Sequence, residues 1–188
     1  SLGGFGTAAM AVLENDEDVI RCYPFPIGSY SASNNHHLRV DTFSREFRMT
    51  VRQLVSDFGL EKCSRRVQEM WKQKKLEEWV DVCQIVEPNW DKTPGMQDAN
   101  GMEYRSIYWE KAGDADNPNE VLRVKGFHEF PILVPRWEVT GEDVYGEGPG
   151  QLALGDIKQL QLETRRKSQG IEKMVNPPMV GDVSLRHR

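Results

Sequence analysis

The stretch of this chain that comes closest to a chemical motif is "GEDVYGEGPG", residues 141–150. Three glycines alternate in it, after an apolar run and before a helical pattern: Gly146, Gly148 and Gly150. A glycine-rich loop at the start of a helix can present backbone N–H groups to a phosphate. The stretch therefore raises two hypotheses, a nucleotide site or a tight turn that leads into the helix.

The spacing and the surroundings of these glycines favour the turn. A dinucleotide site needs G-x-G-x-x-G inside a βαβ unit, but this chain has G-x-G-x-G with Pro149 in the middle, and no parallel strand follows the helix. Acidic neighbours that would repel phosphate are Glu142, Asp143 and Glu147. We interpret the stretch as a turn, and keep as the alternative a nucleotide- or metal-dependent enzyme module that uses the Gly146–Gly150 loop.

The other reactive side chains form no recognisable catalytic or metal site. His36 and His37 are adjacent, so in a strand they would face opposite sides. Acidic residues are scattered through 87–120, which is typical of solvated turns. The three cysteines are far apart, which favours a reducing compartment and argues against a disulfide framework or a zinc knuckle. We therefore expect no catalytic residue, no metal and no cofactor.

Two groups of basic residues could contact phosphates or an acidic neighbouring subunit. Arg65, Arg66 and Lys72 follow Ser64 at the start of a helical pattern. A second group lies within a long helical pattern: Lys158, Arg165, Arg166 and Lys167. Consecutive residues fan out around a helix, so the second group is not one clean stripe. A solvated helix face explains both groups equally well, and the sequence leaves the choice open.

Composition limits the function classes further. The chain has 188 residues, 38% apolar and 28% charged, with a net charge of −5. The mean hydropathy is −0.61, and no apolar run reaches the roughly 20 residues that cross a bilayer, which argues against a membrane protein. The negative charge argues against a protein that coats nucleic acid. Because the chain starts at Ser1 rather than at a methionine, we expect a piece of a longer protein.

The pattern of elements predicts an α+β fold. Residues 6–48 read as β structure, and Thr50 caps a helix that stops at Gly59. A second, longer helix follows Ser64, and residues 79–88 are rich in strand formers. Three further strand candidates, the last within 130–139, predict an antiparallel meander. Residues 151–176 predict one long helix with a polar middle, which must be solvated or packed by a partner with polar contacts.

Several segments, in their order along the chain, resemble the portal, or head-to-tail connecting, proteins of short-tailed bacteriophages. The resemblance runs from about Gly6 to Val180. The segments that carry it are "GTAAMAVLEND", "PFPIGSYSAS", "VDTFSREFRMTVRQLVSDFG", "VPRWEVTGEDVYGEGPGQLALGDIKQLQ" and "KMVNPPMV". The most specific of them is "RWEVTGEDVYGEGPGQLALGDIKQLQ" together with the later "NPP".

This resemblance implies a structural, non-enzymatic subunit of a ring, usually dodecameric, at one capsid vertex of a phage or prophage. Double-stranded DNA would pass through the ring during genome packaging and ejection. The partners would be further copies of the chain, the terminase, tail adaptor proteins and capsid or scaffold proteins. The protein would be part of the virion, after assembly in the host cytoplasm, with no membrane partner.

The resemblance also implies a division of the chain. Residues 1–60 would form a β-rich wing-like segment with a short helix, and 61–80 a stem-like helix. Residues 81–145 would form a small clip-like β-meander domain, inserted between two long stem-like helices. Residues 146–180 would hold the glycine elbow and the second stem-like helix, and 181–188 a tail. The two basic groups would contact the DNA channel or neighbouring subunits, and Gly146, Gly148 and Gly150 would be the clip–stem elbow.

Overall fold

The structure, a computed structural model, describes residues 2–15, 18–93, 95–96, 98–111, 121–179 and 181. Its helices are α1 (Leu2–Phe5), α2 (Val51–Phe58), α3 (Arg65–Lys72), α4 (Pro149–Leu152) and α5 (Leu154–Val175). Its strands are β1 (Ala9–Asn15), β2 (Val19–Phe25), β3 (Tyr30–Asn34), β4 (Val40–Thr50), β5 (Trp79–Pro88), β6 (Tyr104–Glu110), β7 (Val121–Phe127) and β8 (Ile132–Leu133). The predicted α+β class is confirmed. Among the described helices none is long and apolar enough to cross a membrane.

The small sheet has three strands, in the order β2-β1-β8, and both pairings are antiparallel. Strand β2 lies at the edge of this sheet and contains Pro24, which fits the absence of a backbone N–H donor in proline. β8 has only two residues, because Pro131 and Pro135 lie on either side of it. The carbonyls of both prolines still accept hydrogen bonds, at 3.0 Å from Val12 N and 3.1 Å from Ala8 N.

The large sheet has five antiparallel strands, in the order β3-β4-β5-β6-β7. The antiparallel pairing of β6 with β7 agrees with the predicted meander, and β5 pairs with the other side of β6. The prediction was wrong for the next segment, because residues 130–139 do not extend the meander. Their two strand residues pair instead with Met10 and Ala11 of β1. Prolines interrupt this segment and remove backbone donors, so it cannot form a full ladder beside β7.

The two short helices differ in how well the sequence predicted them. Helix α2 has the expected capping box between Thr50 and Gln53, and Gly59 follows it with φ 86°. Helix α3 has only eight residues, so the described residues contain no long helix where the resemblance placed the first stem-like helix, at 61–80. Lys74 adopts φ 59°, and Lys75 N bonds Met70 O at 2.9 Å. This is a Schellman-type helix end with a lysine in the position that glycine usually takes, which the sequence pattern did not indicate.

One face of the large sheet carries two separate hydrophobic cores. The helical core packs α2 and α3 against one end of the face; its buried members are Val51, Leu54, Phe58, Cys63, Val67, Val80, Val82 and Leu122. The inter-sheet core packs the small sheet against the other end; its buried members are Ala9, Ala11, Phe43, Val86 and Ile132. Val82 and Val86 lie on the same strand, so β5 is common to both cores.

The large sheet joins segments from both sides of the division that the resemblance implies. Strand β4 lies before residue 60 and β5 after it, and they pair over eight positions from Phe43–Val86 to Thr50–Trp79. The body of the molecule is therefore held together by residues that the division assigns to a wing-like and a clip-like segment. The division itself stays a prediction, and of its tail, 181–188, only residue 181 is among the described residues.

Candidate functional site

The three alternating glycines pack against a second glycine-rich segment at the start of the chain. A Cβ atom on Gly148 would lie 2.6 Å from Gly6 N, and one on Gly150 would lie 3.0 Å from Gly3 O. A Cβ on Gly146 would lie 2.7 Å from Gly6 O. These distances leave no room for side chains, so the backbones touch directly. We call this contact the glycine joint, formed by Gly3, Gly4, Gly6, Gly146, Gly148 and Gly150.

Three consecutive backbone N–H groups of the loop, those of residues 146–148, donate hydrogen bonds inside the protein. Gly146 N donates to Thr7 Oγ1 at 2.8 Å, Glu147 N donates to Glu138 O at 2.7 Å, and Gly148 N donates to Gln151 Oε1 at 2.9 Å. A phosphate-binding loop needs such groups to point at the ligand. These three amides thus have the hydrogen bonding of a structural turn.

Further hydrogen bonds tie the loop to the large sheet. The Tyr145 hydroxyl accepts from Ala32 N at 3.0 Å, and Asp143 O accepts from Asn34 Nδ2 at 3.3 Å. The guanidinium of Arg136 donates to Leu38 O at 2.8 Å. Sequence reasoning missed these residues and the N-terminal half of the glycine joint. The signal for the joint was available, since "LGGFG" is a second cluster of glycines, whereas nothing in the sequence pointed to Arg136.

Helix α5 begins at Leu154, after α4 and Ala153, and none of its residues is buried. It has 22 residues, so at about 1.5 Å per residue it extends roughly 33 Å. Several of its apolar side chains are largely exposed, for example Leu160 at 65% and Met174 at 83%. The prediction of a long helix over 151–176 is confirmed, apart from a break at Ala153 between α4 and α5.

Most of the apolar side chains of α5 share one side of the helix. At about 100° per residue, the following residues fall within roughly 100° of one another: Ile157, Leu160, Ile171, Met174 and Val175. The sequence had shown apolar ends and a polar middle but not this common side. An exposed apolar side on a helix that touches little else is typical of a surface that a partner covers.

The predicted basic residues of α5 are all exposed but do not share a side. Lys158 and Arg165 are about 20° apart around the helix axis, and Arg166 and Lys167 are turned by about 100° and 200° from Arg165. None of the four forms an ion pair with an acidic residue in the described part of the chain. The helix thus presents Lys158 and Arg165 together, while Lys167 lies within the apolar side.

The basic residues of α3 lie on a different element and are exposed too. Val67 is the buried residue of α3, in the helical core, and it turns Arg65, Arg66 and Lys72 toward solvent. Glu110 holds the start of α3, because its carboxylate accepts from Ser64 N at 2.8 Å and from Ser64 Oγ at 2.6 Å.

The remaining candidate groups do not assemble into a reactive centre. Within the described ranges no three His, Cys, Asp or Glu side chains are grouped to hold a metal ion. Burial, followed by the nearby Glu110 charge, raises the pKa of Cys63 to about 11. A thiol with such a pKa is hardly ionised near neutral pH and is therefore a weak nucleophile.

Comparison with known proteins identifies the family. The family described as bacteriophage head to tail connecting protein matches residues 1–188, which is the whole chain. The chain belongs to this connector family. The expected resemblance is thereby confirmed.

Two curated relatives agree with this assignment. The portal protein of Salmonella phage epsilon15 is 52% identical over 189 residues, covering 100% of this chain and 34% of that protein. The probable portal protein of Bordetella phage BPP-1 is 39% identical over 187 residues, covering 100% of this chain and 33% of that protein. The chain thus spans about a third of the length of these connector-family relatives.

Proposed function

We propose that this chain is the part of a phage portal subunit that assembles with further copies of itself into a ring, usually dodecameric, around a channel for double-stranded DNA. The observation that carries the proposal is the full exposure of α5 in the single chain. An isolated helix has marginal stability in water, because most of the stability of a helix in a protein comes from tertiary packing. A helix of this length with an apolar side needs neighbours, and identical copies around a symmetry axis supply them.

In the proposed ring the two sides of α5 have different roles. The apolar side, which includes Leu160 and Met174, packs against the neighbouring subunit together with Lys167. Lys158 and Arg165 lie on another side of the helix and face the channel, where they meet DNA phosphates. The net charge of −5 keeps the DNA from being held tightly, because many strong phosphate contacts would oppose its movement.

The glycine joint is the proposed elbow between the body and the stem-like helix. Its direct backbone contacts and the hydrogen bonds of residues 141–148 fix the direction in which α5 leaves the body. The body supplies the wing-like and clip-like surfaces, which dock the terminase, the tail adaptor and the capsid or scaffold proteins. In this proposal the protein is part of the virion at the portal vertex and assembles in the host cytoplasm.

No observation in the described residues favours the alternative, an enzyme module built on Gly146–Gly150. The three amides that would bind a phosphate donate to Thr7, Glu138 and Gln151. Added nucleotides and divalent metals are therefore expected to leave the thermal unfolding temperature unchanged.

The test is the assembly state of the protein expressed at its full natural length, observed by negative-stain electron microscopy and native mass spectrometry. Rings with a central hole are expected. Leu160→Glu places a charge on the apolar side and is expected to reduce the ring population strongly. The matched control is Gln169→Glu, which adds the same charge to the same helix about 180° away and is expected to leave the rings intact. A protein that stays monomeric, or rings that tolerate both changes equally, would contradict the proposal.

A further inference from the structure

Four side chains form a continuous row across the middle of the large sheet. Arg45 pairs with Gln84, Gln84 with Tyr108, and Tyr108 with Arg123, on the successive strands β4 to β7. Directly paired residues of antiparallel strands point to the same face of the sheet. We call these four residues the arginine row, because an arginine stands at each end.

The arginine row lies between the two hydrophobic cores. On β5, Gln84 has Val82 of the helical core on one side and Val86 of the inter-sheet core on the other. Gln84 is 7% exposed, so the middle of the row is buried. A polar row at this position separates two apolar clusters that would otherwise form one layer. Burial of polar and charged groups opposes folding unless they are paired.

A cavity of about 190 Å³ opens above the row, between the large and the small sheet. Its described walls carry three cationic side chains, Arg45, Arg123 and Lys125, and no carboxylate. The apolar part of the wall includes Phe25 of β2 and Ile132 of β8. The cavity is thus electropositive in a chain whose net charge is negative.

The two arginines are held by aromatic rings and neutral groups. The Arg45 guanidinium carbon lies 4.8 Å from the ring centre of Phe25 and 4.2 Å from that of Phe47. Its Nε donates to Gln84 Oε1 at 2.7 Å. The Arg123 guanidinium carbon lies 4.7 Å from the ring centre of Phe58. The buried Nε of Arg123 has no hydrogen-bond partner among the described residues.

The acidic residues on neighbouring strand positions are engaged elsewhere. Glu110 is on the same face of β6, but both of its oxygens accept from Ser64. Glu46 pairs with Lys111 at 2.5 Å, and Glu87 pairs with Arg105 at 2.7 Å. No described carboxylate therefore neutralises Arg45 or Arg123.

Burying a positive charge without a counter-ion has a measurable cost. Burial lowers the pKa of Arg45 from its ordinary value, and Tyr108 offsets this only in part. Arginine nevertheless stays protonated near neutral pH. An anion between the two guanidinium groups would recover part of the lost solvation, and planar guanidinium groups match oxyanions in charge and in hydrogen-bond geometry.

We propose that the cavity between the two sheets is a binding site for a small oxyanion, held by Arg45 and Arg123 with Lys125 at its rim. The volume of about 190 Å³ is below the roughly 300–1,000 Å³ of pockets for drug-sized ligands. The ligand is therefore of the size of phosphate or a small carboxylate, and a nucleotide is too large. The site belongs to the body of the chain and does not depend on ring formation.

The test is thermal unfolding of the protein at its full natural length in inorganic phosphate, in acetate and in chloride at equal ionic strength. At about ten times its Kd a bound ion is expected to raise the unfolding temperature by roughly 1–2 °C, because the shift becomes smaller as the unfolding chain becomes longer. A rise in phosphate or acetate above that in chloride is expected, and the variants described next separate it from the general stabilisation that phosphate gives through exclusion from protein surfaces. Equal temperatures in all three salts would overturn the proposed site.

Two variants show whether a rise in the unfolding temperature comes from an ion bound in the cavity. Arg123→Met keeps an apolar stem against Phe58 and Tyr108 and is expected to weaken binding about tenfold or more, since a hydrogen bond to a charged group contributes about 1.5–3 kcal/mol. Arg48→Met is the matched control, because Arg48 is on the opposite face of β4 with its side chain 72% exposed. Loss of the shift in the first variant alone supports the site, and equal behaviour of the two variants contradicts it.

A direct measurement covers the case in which Arg123→Met does not fold. Crystals of the unchanged protein soaked in selenate would show the anion by its anomalous signal. A peak within hydrogen-bond distance of Arg45 and Arg123 is the expected result. Peaks confined to other surfaces would overturn the proposal.

Discussion

The body of this chain and helix α5 are stabilised in opposite ways. The body buries residues such as Leu54 and Val82 completely, at 0% exposure, and each of its sheets has a covered face. Helix α5 buries none of its residues. The body is therefore stable through its own contacts, whereas α5 depends on contacts that a single chain does not contain. The comparison separates residues that matter for folding from residues that matter for assembly.

The largest expected difference between the two regions concerns leucine truncation. Leu54→Ala leaves a cavity in the helical core and is expected to lower the free energy of unfolding by about 2–5 kcal/mol. Leu160→Ala removes an exposed side chain and is expected to change it by no more than about 0.5 kcal/mol in the dissociated chain. Urea unfolding followed by circular dichroism measures both values. Equal losses would show that α5 is packed within the single chain.

Glycine substitution sharpens the comparison at the point where the two regions meet. Gly148→Ala forces a Cβ against Gly6 N, 2.6 Å away, and is expected to destabilise the chain by about 1–3 kcal/mol through overpacking. Gly155→Ala is the matched control, because a Cβ there meets nothing within 4 Å. In a helix this change is expected to stabilise by about 0.5–1 kcal/mol. Chemical denaturation of the two variants should give opposite signs, and a common sign would disprove the tight joint.

Loss of a threonine hydroxyl tests the same contrast with a smaller effect. Thr50→Ala removes the cap of α2 and is expected to cost about 0.5–2 kcal/mol. On α5 the Thr164 hydroxyl donates to Leu160 O at 2.8 Å, a bond that contributes little to a helix. Thr164→Ala is therefore expected to leave the unfolding midpoint almost unchanged. A larger loss for Thr164→Ala than for Thr50→Ala would contradict this ranking.

Near neutral pH the smallest expected effect on the free energy of unfolding comes from the ionisation of Cys63. Its folded-state pKa is raised to about 11, above the ordinary value of a free thiol, so the folded state binds the proton more tightly than the unfolded state. The corresponding stability is complete below about pH 8.5 and is lost as the pH rises through about 11. Urea midpoints measured from pH 8 to pH 11 should fall for the unchanged chain and fall less for Cys63→Ala.

Thiol labelling gives an independent check of the same burial. At pH 8 Cys63 is expected to react far more slowly with a maleimide than a cysteine introduced on α5 by Ser168→Cys, because only about one Cys63 in a thousand is ionised. In an assembled ring the introduced cysteine reports on the accessibility of α5. Rapid labelling of Cys63 in the folded chain would contradict the buried position.

How much of the fold could be predicted differs from element to element. The capped helix α2 and the neighbouring strands β6 and β7 followed from local signals, namely the Thr50–Gln53 spacing and the turn residues between the two strands. The length of α3 did not, because Lys74 takes a backbone conformation that is uncommon for lysine. The short strand β8 was assigned to the wrong neighbour, since its partner in β1 lies more than 100 residues earlier in the chain.

Only part of the candidate site could be predicted, again because local signals are visible in the sequence and long-range contacts are not. Its glycines and basic residues could be named as candidates, because glycine, lysine and arginine are visible as residue types, and their roles stay predictions. Three features were not predicted: the N-terminal half of the glycine joint, the hydrogen bonds of Arg136 and the arginine row. Each of them joins residues that are distant in sequence, and Arg45 and Arg123 become neighbours of one cavity only through the order of four strands.

The family, the α+β class, the capped helix α2 and the long helix with mixed polarity can be derived from the sequence, because they depend on local propensity, hydrophobic pattern and similarity along the chain. Three other features become visible only in the folded chain: the loop amides at 146–148 are occupied, one sheet holds two cores with a cationic cavity between them, and α5 is left uncovered. These features depend on long-range pairing and on which groups are already satisfied. Short-range sequence patterns do not specify either of them.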